Sequence, residues 1–135
     1  EAYQGEPGNE VSMILKLEYQ RFSMLFTGDL EGAGEQDFLS GAYANGIYTV
    51  LKTAHHGSDG ATTDQFLEQN HADVALISAG KDNPYGHPGE KLINRLKKAD
   101  MKIFCTKDTG AVTIRSDGKQ MRIERFSGAG GNETG

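Results

Sequence analysis

The sequence holds one cysteine in 135 residues, so no intrachain disulfide closes, and no Cys/His cluster has the spacing of a structural zinc site. Basic side chains fall short of acidic ones, 14 against 19, for a formal charge of −5. That is the wrong sign for gripping nucleic acid mainly by phosphate neutralisation, so no strongly basic groove is expected. No run approaches the ~20 apolar residues of a membrane span. The opening EAYQGEPGNE lacks the basic and apolar regions of a targeting segment, and the chain as given reads as soluble. GxxxxGK[ST], GxGxxG, GxSxG and SxxK are all missing, so nucleotide-cradling and covalent-nucleophile chemistries lack their parts. Cys105 sits in an apolar run without a neighbouring base and reads as a core residue.

What remains fits one domain over residues 1–135, since a chain of this length buries about two-thirds of its unfolded surface. The chain begins without Met and ends in the Gly-rich SGAGGNETG, so residues 127–135 are expected to form a flexible tail. Both ends are those expected of a piece of something longer.

Apolar and polar residues roughly alternate from Val11 to Thr27, predicting a hairpin of half-buried strands that turns at Gln20-Arg21 and ends in Thr27-Gly28-Asp29. Helical spacing over Glu31 to Asn45, with Gly46 behind it, predicts a helix. A β-branched apolar run from Ile47 to Ala54 delivers His55-His56-Gly57-Ser58 to its carboxyl end. Thr62 or Thr63 caps a short helix to Asn70, and Asp73 to Ser78 is the next strand. After the irregular Ala79 to Pro88, a helix with Pro88 in its first turn runs to about Ala99. Short strands at Lys102 to Thr106, Ala111 to Arg115 and Gln120 to Phe126 close the chain, the last two joined by Asp117-Gly118. Strands separated by helices predict an α/β fold with a mixed sheet covered by helices. Such sheets bind ligands at the carboxyl ends of their strands. Asp29, the His55-His56 pair and the Asn83 to His87 loop all follow strand ends.

Each of these segments has a chemical and a plain reading. Asp29 is a hard oxygen donor suited to a divalent ion, or a turn and helix starter. In HHGS one imidazole can bind a metal while the other orients or protonates a substrate; Gly57 admits close approach, and Ser58 can donate a hydrogen bond. The alternative is a surface pair with a turn behind it. His87 lies in a Gly/Pro frame that suits a preorganised proton shuttle, and Asn83 can bond an anionic oxygen; a structural loop is the alternative. His71 reads as an exposed helix end. Asn9 and Ser12 are placed to brace a loop through backbone hydrogen bonds.

In order, LFTGDLE, VLKTAHHGSDGATT, ALISAGKDNPYGHP and IFCTKDTGAVTI resemble the carboxyl-terminal half of the metallo-β-lactamase-like domain of ComEC-type competence proteins, over roughly Asn9 to Ile123. The resemblance implies half of an αββα sandwich hydrolase with two divalent ions, zinc or manganese, acting on phosphodiester bonds. It implies Asp29 and His55 as metal ligands, with His56 a second ligand or, beside Ser58, a contact to the substrate oxyanion. It implies His56, His87 and Asn83 at the reacting centre, His87 as proton donor or phosphate contact and Asn83 supporting the loop. It further implies DNA strand degradation during uptake, with a single strand as partner; a cell-wall ester of the choline phosphate type and a non-catalytic binding module are the alternatives. The parent would lie in the bacterial inner membrane with this domain outside the cytoplasm. The family's HxHxDH motif is not in this chain. These residues alone are therefore expected to bind metal weakly or not at all and to be inactive. A missing amino-terminal half would supply the second sheet layer, so exposed apolar surface and self-association are expected.

Overall fold

The computed structural model describes residues 11–127 and 131–134. Strands β1 (Leu15–Tyr19), β2 (Phe22–Phe26), β3 (Gly46–Lys52), β4 (Asn70–Ile77) and β5 (Lys102–Cys105) form one sheet in that order. β1 and β2 pair antiparallel as the predicted hairpin, and β2 to β5 run parallel. The mixed α/β architecture is as expected.

Helices α1 (Ala33–Ser40), α2 (Asp64–Gln69) and α3 (Glu90–Lys98) are the crossovers between parallel strands. One apolar cluster joins them to the sheet through Leu39, Leu51, Phe66, Ala75, Ile77, Leu92 and Leu96. A single turn, α4 (Thr106–Thr109), leads to β6 (Ala111–Ser116), β7 (Met121–Ser127) and β8 (Gly131–Thr134), an antiparallel second sheet. A second cluster unites Phe22, Met24, Val50, Val74 and Phe104 of the first sheet with Val112, Ile114, Met121 and Ile123 of the second.

Three expectations change here. The second sheet layer, expected from outside the chain, is supplied in part by β6 and β7, whose Val112, Ile114, Met121 and Ile123 pack on the first sheet. Within the tail expected over residues 127–135, Gly131–Thr134 pair with β7; residues 128–130 and 135 lie outside those described, as does Asn9. The first helix stops at Ser40, because Gly41 takes an extended conformation, and Gly46 begins a strand instead of ending a helix. The third helix starts at Glu90, after Pro88, because the Gly89 amide is bonded 2.8 Å to the Gly57 carbonyl.

β1 departs from the half-buried reading as well. It is an edge strand with β2 as its partner, and Leu15, Leu17 and Tyr19 are about half exposed in a row. An apolar row on an uncovered edge is a surface that pairs or is covered.

Carboxylates from distant positions hold the helix starts. Glu35 on α1, 1% exposed, accepts from the amides of Thr62 (2.7 Å) and Thr63 (3.1 Å) and from the Thr63 hydroxyl, while that hydroxyl caps Phe66. Asp59 accepts from the Leu92 amide at 3.1 Å, and Arg95 of α3 returns bonds to the carbonyls of Asp59, Ala61 and Thr62. Glu35→Ala strands these buried donors, and each orphaned polar group costs about 1–3 kcal/mol. Urea unfolding of the variant is expected to show a loss of about that size. An unchanged midpoint would mean that water replaces the carboxylate.

Candidate active site

Because β2, β3 and β4 run parallel, the chain leaves all three at the same sheet edge. Asp29 follows β2, His55 and His56 follow β3, and the loop holding His87 follows β4. The edge therefore gathers an acid and imidazoles from three loops, as the order of segments predicted.

The β2 loop is fixed first. The Asp29 amide donates to the Ser12 hydroxyl at 2.8 Å, so Ser12 braces this loop as expected. Gly28 has φ 54°, and a Cβ there would stand 2.6 Å from that hydroxyl, so glycine is required. Its carbonyl accepts from the His55 amide at 2.9 Å, tying the first loop to the second.

His55 and His56 both have positive φ, 45° and 53°. Two adjacent non-glycine residues in that region store strain of roughly 1–3 kcal/mol each, a cost met where surroundings over-determine a site. Here the surroundings are visible. His55 Nδ1 pairs with Glu31, and Glu31 also accepts from the Ser58 hydroxyl at 3.0 Å. His56 Nδ1 lies 2.9 Å from the Ser78 carbonyl, which holds the proton on that nitrogen, and Nε2 sits 4.0 Å from Asp29 Oδ1. Gly57, at φ 85°, abuts the next loop: a Cβ would come within 2.8 Å of Pro88 Cβ.

The third loop brings His87 up to His55, their ring centroids 5.6 Å apart. Asn83 shapes it, donating to the carbonyls of Gly80 (2.8 Å) and His87 (2.6 Å) and accepting from the His87 amide at 2.8 Å. Thr106 bonds both backbone groups of Ala79 at 3.0 Å and anchors the loop's start.

Asp29, His55, His56 and His87 are thus brought together. Ser58 and Asn83, expected to meet substrate, have their polar atoms engaged by protein: the buried Ser58 bonds Glu31, and Asn83 bonds its own loop. His71 is exposed, but on β4 instead of a helix end. Sequence reasoning missed Glu31, although its place two residues past the strand-tip Asp29 was a usable signal. It also missed Lys52 at the end of β3. Burial pushes the Lys52 ammonium below its ordinary pKa, the charge of Asp29 opposes that shift, and Nζ donates to the Thr53 carbonyl at 2.8 Å.

The donor set is of the right kind for a divalent ion, an oxygen with imidazole nitrogens. The number falls short: among the described residues no group of three His, Cys, Asp or Glu side chains is placed to hold a metal. Nor is any helix among them long and apolar enough to cross a membrane.

Known proteins resemble this chain along most of its length. It is 37% identical over 107 residues to ComE operon protein 3 of Bacillus subtilis, covering 79% of this chain and 14% of that protein. It is 34% identical over 105 residues to Competence protein ComA of Neisseria gonorrhoeae, covering 77% and 15%. The expected tie to competence proteins is borne out. A third relative, Recombination protein 2 of Haemophilus influenzae, is 32% identical over 117 residues, covering 87% and 14%. The chain spans about one-seventh of the length of these relatives. No family model and no solved structure matches it.

Proposed function

We propose that the chain is the carboxyl-terminal part of a metallo-β-lactamase-type hydrolase domain that cuts phosphodiester bonds in DNA handled during competence. One observation carries this reading: Asp29, His55, His56 and His87 converge at one sheet edge, on backbone strained at both adjacent histidines. A structural turn has no need of that arrangement. The names of the relatives supply the setting, and the extracytoplasmic side of an inner membrane is the proposed location.

In this reading Asp29, His55 and His56 are this chain's share of a centre for two divalent ions, zinc or manganese. The further donors come from an amino-terminal half that also covers the exposed row on β1. Bound divalent ions supply an acidified water and charge stabilisation. The chain's own residues do the positioning. Glu31 holds the His55 ring through Nδ1, as carboxylates behind metal-binding histidines do. Ser58 steadies Glu31, and Asn83 sets the loop that presents His87 as proton donor to a leaving oxygen.

The test is hydrolysis of single-stranded DNA by the full-length protein with added Mn²⁺ or Zn²⁺. Activity is expected to vanish with EDTA and to return when the ion is resupplied. No hydrolysis of DNA or of a small phosphodiester under any ion would overturn the proposal. Hydrolysis of the small ester alone would move it to a cell-wall substrate.

A further inference from the structure

Tyr85 belongs to none of the arrangements above. It is 77% exposed on the β4–α3 loop, yet it is not an isolated surface aromatic. Its ring centroid lies 5.8 Å from that of His87, with the planes inclined by 31°. With His56, Ala79, Gly80, Asn83 and His87 it walls a cavity of about 210 Å³ that opens beside the imidazole cluster. The three Asn83 bonds hold this loop, so the ring is presented by a fixed frame, the condition for a specific contact.

We propose that Tyr85 is a stacking platform for one base of a single-stranded nucleic acid whose phosphate lies at the Asp29–His56 edge. The proposal rests on the phosphodiester reading above and names its substrate class. Size favours a single base: the cavity is smaller than the ~300–1,000 Å³ of pockets for drug-sized ligands. Chemistry favours a base over a bare ester, because an exposed aromatic face beside a phosphate site recognises any π-face without reading sequence. With a formal charge of −5 the chain offers little phosphate neutralisation, so the proposal places affinity for a single strand in stacking.

The experiment is fluorescence anisotropy on the full-length protein. It compares a labelled thymidine oligonucleotide with a strand of equal length whose sugars carry no base. Wild type is expected to prefer the strand with bases by roughly 5- to 150-fold, the equivalent of one stacked base. Tyr85→Ala removes that preference and leaves binding of the abasic strand unchanged, while Tyr85→Phe keeps it. Equal binding of both strands by wild type, no binding of either, or an unchanged preference in Tyr85→Ala overturns the platform. Hydrolysis without base preference sinks the platform and leaves the hydrolase reading standing. Base-dependent binding without hydrolysis does the reverse.

Discussion

Replacing Asp29 by Ala is expected to lower DNA hydrolysis by the full-length protein more than about 100-fold. Residues that only orient a metal's ligands already cost ~10–100-fold when lost, and the carboxylate proposed for the reacting centre itself is expected to exceed that. The same change is expected to leave stability within about ±0.5 kcal/mol, as for surface sites away from caps and cores. The Asp29 side chain is 47% exposed, and its carboxylate meets His56 across 4.0 Å, while the bond from Ser12 goes to its backbone amide and survives the substitution. Paired measurements of turnover and urea midpoint separate the two roles. Unchanged hydrolysis would remove Asp29 from the reaction. A large stability loss would make it a structural turn residue.

Much of this site was legible in the sequence because strand tips leave strong local marks. An apolar run ending in TGD, HHGS or an irregular Gly/Pro loop fixes where each side chain leaves the sheet, and parallel pairing then puts them at one edge. Such marks do not reveal what stands behind a side chain. Glu31 reaches His55 and Ser58 only after the crossover through α1 is folded, and its bond from Ser58 spans 27 residues of chain. Asn83 was legible as a support of its own loop, and its side chain bonds Gly80 and His87 there. The helix starts were half legible for the same reason. Thr63 as the cap of α2 follows from local sequence, whereas the carboxylate of Glu35 comes from another helix. The covering of the sheet by β6 and β7 rests on Val50, Val74 and Phe104 meeting Val112 and Ile123, pairings that periodicity cannot assign.

Phe66→Ala tests the packing that keeps the edge in place, with an expected loss of about 3–5 kcal/mol for a fully buried aromatic. Phe66 is 1% exposed and stacks on Phe38 of α1 at 5.9 Å, so it joins the two helices that flank the HHGS segment. α2 has six residues, well below the ~12–15 at which an isolated helix becomes even marginal in water, so packing and caps must hold it. Without the ring, the helix loses its main contact, and the Glu35 bonds to Thr62 and Thr63 lose the element they cap. Against a total near ~5–15 kcal/mol the variant is close to unfolding at physiological temperature. The thermal midpoint is expected to fall by on the order of 10–20 °C. A loss under about 1 kcal/mol would show that the Glu35 and Thr63 caps suffice to hold α2, and that the rigidity of the HHGS loop comes from hydrogen bonds instead of from the core beneath it.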